Sequence, residues 1–395
     1  MLLLKNLIVF KRQDAILTLR WQEAHTLLVC AFCLTRTRFR MLPLTIFTAP
    51  VIPDIENNEL RQQLQQIIDL KTKPLGALGR LETLALQLGM IQGTIAPQIN
   101  QPQIRVFAAD HGLTKHGTSA FPSAVTAQMV YNFLQGGAAI NVLARQHNIE
   151  LKVVDAGVDA DFANSPFKEH PQLLDYKVRH GSRDALIEAA MTEEECLAAL
   201  EGGMNVVKNM VGNLLIVGEM GIGNTSAASL LLAKLGDLSI ADCIGRGTGL
   251  DDAGLQHKAS ILTQVLERHS EANTALDVLA ALGGLEIAMM AGALMQAASE
   301  RRILLIDGFI ASSALLVAER LAPGVAQFAI FAHHSVEPGH THLLKLLDAE
   351  PLLNMGMRLG EGSGAALAYP LLQSACAIIN EMASFSDAGI SEQNN

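Results

Sequence analysis

Five short apolar runs recur along the chain, with helical sequence between them, and each reaches a charged or ionisable group within two residues of its end. The runs are Ile104–Ala109, Leu151–Val154, Leu214–Val217, Ile303–Ile306 and Phe328–Phe331. The groups at their ends are Asp110 and His111, Asp155, Glu219, Asp307, and His333 with His334. Strands alternating with helices predict an α/β fold, a Rossmann-like and mostly parallel sheet with helices on both faces. In such open sheets ligands sit beyond the carboxyl ends of the strands. Acids and histidines at all five ends therefore point to a site along one edge of the sheet.

Composition agrees with a packed enzyme and argues against other classes. Half of the 395 residues are hydrophobic and 17% are charged, which excludes global disorder. The net charge is −10 and no long basic run occurs, so nucleic-acid binding is not expected. Five cysteines (Cys30, Cys33, Cys196, Cys243 and Cys376) make no disulfide framework and suit a reducing cytoplasm. Leu279–Ala298 is long enough to span a membrane, but Glu286 interrupts it. A charge within a span costs roughly 2.5–3.5 kcal/mol, and strand-like sequence follows at Ile303. A buried helix is the expectation, with no membrane span.

Residues 1–40 differ from the remainder, with seven Lys and Arg against two acids and the chain's one tryptophan. They are expected to be a poorly ordered extension, with residues 41–395 forming the functional unit and Met41 a candidate native start. Cys30 and Cys33 form a lone CxxC, two ligands short of a zinc site. From Asp54, a plausible N-cap, Ile55, Leu60, Leu64 and Ile67/Ile68 carry helical spacing to Leu70. A Pro- and Gly-rich turn, Lys71 to Arg80, precedes a second helix over Leu81–Leu88.

Three motifs carry chemistry. Gly218-Glu-Met-Gly-Ile-Gly-Asn-Thr-Ser226 follows a strand and opens a helix, where backbone N–H groups can receive an anion. It is spaced like a P-loop but has Asn224 where that motif needs Lys, so ATP is not the ligand. Another phosphate, or a plain tight turn, remains. Gly245-Arg-Gly-Thr-Gly249 is a second Gly-rich turn, with Lys258 within reach of the same anion or simply solvated. Asp110 and His111 form either a ligand wall or a capped loop. His333, His334, Glu337, His340 and His342 crowd ten residues, yet no hydrolase metal pattern is met. Met357-Arg-Leu-Gly-Glu-Gly-Ser-Gly-Ala-Ala-Leu367 sets one carboxylate, Glu361, between Gly360 and Gly362 ahead of a helix. Desolvation there raises its pKa toward that of a base; a helix dipole lowers it.

At Lys73–Arg80, Ala109–Gly112, Gly218–Thr225, Leu305–Phe309 and Met357–Leu367 the chain resembles the nicotinate-nucleotide–dimethylbenzimidazole phosphoribosyltransferases, over roughly Asp54 to Ile390. The resemblance implies transfer of the ribosyl phosphate of nicotinate mononucleotide to 5,6-dimethylbenzimidazole or a related base. The products are α-ribazole 5′-phosphate and nicotinate, formed with inversion, for the lower ligand of cobalamin. It implies Glu361 as the base and Glu219 as a second acid of the site. Gly221, Asn224, Thr225, Lys258 and Gly362 would hold the donor and its phosphate, and Asp307 and Ser335 the ribose or nicotinate. Phe121, Gln128 and Met129 fall in the segment that lines the base pocket. No metal or organic cofactor is implied. The family forms homodimers, with a large α/β domain (here about 100–345) and a small helical domain from both chain ends (about 54–95 and 350–390).

Overall fold

In a computed structural model of the chain, residues 7–12, 15–20, 47–247 and 249–391 are described, the first two segments by their backbone alone. The CxxC pair and Met41 lie outside the described residues. The chain divides into Met1–Thr48 and Ala49–Asn395. In the first unit, strands β1 (Leu7–Arg12) and β2 (Ala15–Arg20) pair antiparallel, Leu7 opposite Arg20. No regular element was expected there.

The second unit is built on a six-stranded sheet. Its strands are β3 (Gln103–Ala109), β4 (Glu150–Gly157), β5 (Leu173–Asp175), β6 (Leu214–Met220), β7 (Ile303–Ile306) and β8 (Ala329–Phe331). They lie in the order β5-β4-β3-β6-β7-β8, and every pair is parallel. The five predicted runs are all strands. The sixth, β5, is three residues at an edge, too short to carry a period. Phe328 belongs to the 3-10 turn before β8.

From β3 the chain steps outward to β4 and β5, and from β6 it steps the other way to β7 and β8. The strand order thus reverses between β3 and β6, which opens a crevice at their carboxyl ends. The register sets its walls. Phe107 pairs with Glu219, and Val217 with Ile306, so Asp307 falls level with Gly218.

The long apolar run forms two helices, Ala275–Leu282 and Leu285–Ser299, broken at Gly283 and Gly284. The second is buried over most of its circumference. It packs closely on the helix Glu193–Lys208: a Cβ on Gly203 would overlap the carbonyl of Met289, and one on Gly292 that of Leu200. Glycine permits this close approach. Among the described residues no helix is long and apolar enough to cross a membrane.

The two ends of the second unit meet. Among the described residues the first helix starts at Asn58, capped by Asn57 rather than Asp54, because the Asn57 side chain accepts the Leu60 N–H at 3.0 Å. The second, Arg80–Gln92, lies against the helix Ser363–Glu381. Between them the Lys71 ammonium donates to the Met382 carbonyl at 2.6 Å, and Lys73 pairs with Glu82 at 3.0 Å, both buried.

Candidate active site

Four carboxylates converge at the mouth of the crevice. Glu219 comes from the end of β6, Asp307 from the end of β7, Glu286 from the start of the buried helix, and Glu361 from the loop before Ser363–Glu381. All are buried.

Asp307 sets the loop. Its oxygens accept the N–H groups of Gly362 at 3.2 Å and Ala365 at 2.9 Å, which caps the following helix. His333 approaches it at 3.6 Å from behind, where Gly364 leaves it room. Burial pushes the Asp307 carboxyl up, and His333 and these N–H groups oppose that.

The loop itself is tightly constrained. Gly360, Glu361 and Gly362 have φ of 81°, 65° and 85°, three consecutive left-handed residues. For Glu361 that conformation costs roughly 1–2 kcal/mol, a strain that the surrounding packing must maintain. The packing is visible. A Cβ on Gly218 would overlap the Glu361 carbonyl, and one on Gly360 would overlap Glu219 Oε1. Both positions need glycine because no room is left there for a side chain.

This placement decides between the two readings of Glu361. The side chain is 5% exposed, and burial raises its pKa to about 7. The N–H of Ile140, at the start of the helix Ala139–Gln146, opposes the rise, and Asp307 adds to it. Desolvation exceeds the dipole, and the nearby dipole belongs to a different helix from the one Glu361 precedes. Its Oε2 has no hydrogen-bond partner. A carboxyl half-ionised near neutrality, with one free oxygen, can take a proton from a bound ligand. Glu219 is 9% exposed. Its carboxyl is pushed up to about 8 by burial and by the charges of Asp307 and Glu286; the Asn224 amide, which donates to it, opposes this.

The glycine turn beside them is internally braced. Ile222 N–H donates to Thr126 Oγ1 at 3.1 Å, and Asn224 N–H to the Gly221 carbonyl at 3.0 Å. Asn224 therefore orients Glu219 with its side chain and spends its backbone N–H within the turn. Thr225 is held by Lys258, whose ammonium donates to Thr225 Oγ1 at 3.0 Å and to the Gly245 carbonyl at 3.4 Å. Lys258 is fully buried rather than solvated, its pKa lowered to about 8 by burial against the opposing charge of Glu337. The turn above it is closed by Arg358, which donates to the Gly247 carbonyl at 2.9 Å.

Some sequence candidates stand apart. Phe121 is 50% exposed and Gln128 lies on the outer face of the helix Ala124–Leu134, with Met129 half-buried beside it. Ser335 is buried at the β8 side, its N–H donating to His340 Nδ1 at 2.9 Å. The histidine cluster is a packing network: His340 also meets Ser312 Oγ at 3.1 Å, and His334 meets Thr341 Oγ1 at 3.1 Å. His340 is held near 3 by burial and its histidine neighbours. Among the described residues no group of His, Cys, Asp or Glu is arranged to hold a metal ion. A separate cleft of about 770 Å³, lined by Arg80, His334 and Lys345 among others, lies at the β8 edge, away from the carboxylates.

Two contributors escaped the sequence reading, Thr126 and Glu286. Glu286 was legible only as a charge in an apolar run, and its partner, His111, is 175 residues away in the chain.

Comparison with known proteins gives the family of the chain. The family model described as Phosphoribosyltransferase (DBI_PRT) matches residues 54–390. A nicotinate-nucleotide–dimethylbenzimidazole phosphoribosyltransferase of Variovorax paradoxus is 55% identical over 348 residues, covering 88% of this chain and 98% of that protein. The protein of that name from Cupriavidus taiwanensis is 55% identical over 345 residues, covering 87% and 98%. The crystal structure of CobT from Thermus thermophilus superposes with a TM-score of 0.80 at 40% identity, covering 85% of this chain and all of that one.

Proposed function

The chain belongs to the phosphoribosyltransferase family, and we infer that it moves the ribosyl phosphate of nicotinate mononucleotide to 5,6-dimethylbenzimidazole, giving α-ribazole 5′-phosphate and nicotinate for the lower ligand of cobalamin. The relatives named for this reaction support it, with near-complete coverage of their length. The observation that carries the mechanism is Glu361: a desolvated carboxyl with a pKa near neutrality and a free oxygen.

The pyridinium of the donor leaves as neutral-ring nicotinate and needs no strong acid. The C1′–N bond to nicotinate breaks as a new C1′–N bond forms to the benzimidazole on the opposite face. The benzimidazole N–H proton passes to Glu361 Oε2. General-base help of this kind contributes roughly 10²–10⁴-fold. Glu219, held by Asn224, stands beside the ribose. The donor phosphate is assigned to Gly221, Thr225 and Gly362, and Lys258 acts on it through Thr225. Asp307 fixes the Glu361 loop, and Ser335 lies on the nicotinate side. Phe121, Gln128 and Met129, which stand apart from the carboxylates, are assigned to the acceptor side by the family resemblance alone.

The substrates are small molecules. We read the chain as a cytoplasmic homodimer of large and small domains divided as the sequence predicts. Met355 and Leu359, 62% and 54% exposed on the segment leading to Glu361, support a partner subunit there. The test is to incubate the purified protein with nicotinate mononucleotide and dimethylbenzimidazole and separate the products by chromatography. Nicotinate and α-ribazole phosphate in equal amounts support the transferase; nicotinate alone would make the protein a hydrolase.

A further inference from the structure

The buried pair of His111 and Glu286 has no part in the mechanism above. Glu286 lies fully buried, where an unpaired carboxylate is costly. His111 Nε2 meets Glu286 Oε1 at 2.6 Å, a short, charge-assisted contact. Burial pulls the His111 imidazolium down, but Glu286 and Asp110 more than offset it, and the net shift is upward. The pair is thus two buried ionisable side chains joined by one short hydrogen bond.

Its surroundings are glycines. A Cβ on Gly221 would lie 3.3 Å from both Glu286 Oε1 and His111 Nε2, and one on Gly223 would lie 3.3 Å from His111 Cβ. A Cβ on Gly284 would overlap the imidazole. The Gly221–Gly223 backbone thus rests flush on the ion pair. Thr126 holds the same turn from the acceptor side through Ile222 N–H. The Ala109 carbonyl and Thr114 also press on the turn, and the pair beneath it keeps one oxygen, Glu286 Oε2, without a partner.

We propose that Glu286, acting through His111, is a positioning residue for the donor: the pair fixes the Gly221–Gly223 turn in the conformation that receives the donor phosphate. This rests on the phosphate being received at that turn. An apolar filler would pack the space but leave the turn free to shift, and donor affinity depends on where its backbone stands.

Glu286→Gln keeps the shape and removes the charge. The expected result is a donor KM raised about 10-fold, with the acceptor KM unchanged and kcat changed less than about 3-fold. His111→Gln, which keeps a hydrogen bond to Glu286, should show the same selective rise. The double variant should be no worse than either alone, because the two side chains act as one unit. Thermal melting of each variant accompanies the kinetics. A loss confined to kcat, equal rises in both KM values, additive losses, or activity that falls only in step with the melting temperature would each overturn the proposal. Wild-type turnover in the same series keeps a failure of the transferase reading separate from a failure of this one.

Discussion

Replacing Glu219 by Gln should stabilise the folded chain at alkaline pH while leaving its stability nearly unchanged near pH 4.5. The carboxyl rises from its ordinary 4.5 to about 8 in the folded chain, through burial first and then the charges of Asp307 and Glu286. Between those values the folded state keeps a proton that the unfolded chain has lost. Stability therefore falls as pH rises through this window. Each pH unit removes up to about 1.4 kcal/mol, which sets a ceiling of about 5 kcal/mol near pH 8. Gln avoids that penalty but weakens the hydrogen bond from Asn224, by about 1 kcal/mol. The neighbouring carboxyls also relax when Glu219 is neutral. A net gain of about 2–3 kcal/mol at pH 8 follows. Urea unfolding of both proteins from pH 4.5 to 8.5 measures it. Parallel stability curves would refute the reasoning, since they would mean that Glu219 titrates alike in the folded and unfolded states. The gain in stability should come with a loss of turnover, as is usual when a strained, charged site is neutralised.

Three further outcomes test separate parts of the site. Gly360→Ala drives a methyl into Glu219 Oε1 on a left-handed residue; it should lower kcat about 10²-fold by misplacing the loop, read by steady-state kinetics. Lys258→Ala should raise the donor KM more than it lowers kcat. It should also destabilise the chain at neutral pH by taking from Glu337 the buried ammonium that faces it, which melting curves will show; a pure kcat effect would contradict the phosphate role. Removing residues 1–40 should leave turnover unchanged in the product assay.

The sheet was legible because its central strands are mostly apolar runs between helices, the pattern that burial on both faces imposes. β5 was not, being three partly exposed residues at an edge. The carboxylates at strand ends were legible for the same reason: Glu219 and Asp307 follow directly from where their strands stop. Glu361 was marked by its two glycines, yet its charge state was not. That depended on Ile140 and Asp307, more than two hundred and more than fifty residues away, and on how far the crevice excludes water. Lys258 was found, but as a group within reach of an anion; only the fold shows it buried beneath a glycine turn and tied to Thr225. Glu286 was read as the flaw in an apolar helix. Its meaning lay in His111, whose proximity no local pattern encodes. Sequence periodicity reports burial, and long-range pairs decide ionisation.

The account turns on Glu361 taking the acceptor's proton. The decisive measurement is the pH dependence of kcat/KM for α-ribazole phosphate formation by the wild-type protein and by Glu361→Gln. With the carboxyl near 7, the wild-type rate should rise with pH through that region and then level, because the base must be ionised to act. The Gln variant should be slower by at least about 10²-fold and should lose that rise, with donor affinity little changed. A Gln variant that keeps the wild-type rate, or the same rise through pH 7, would remove Glu361 as the base.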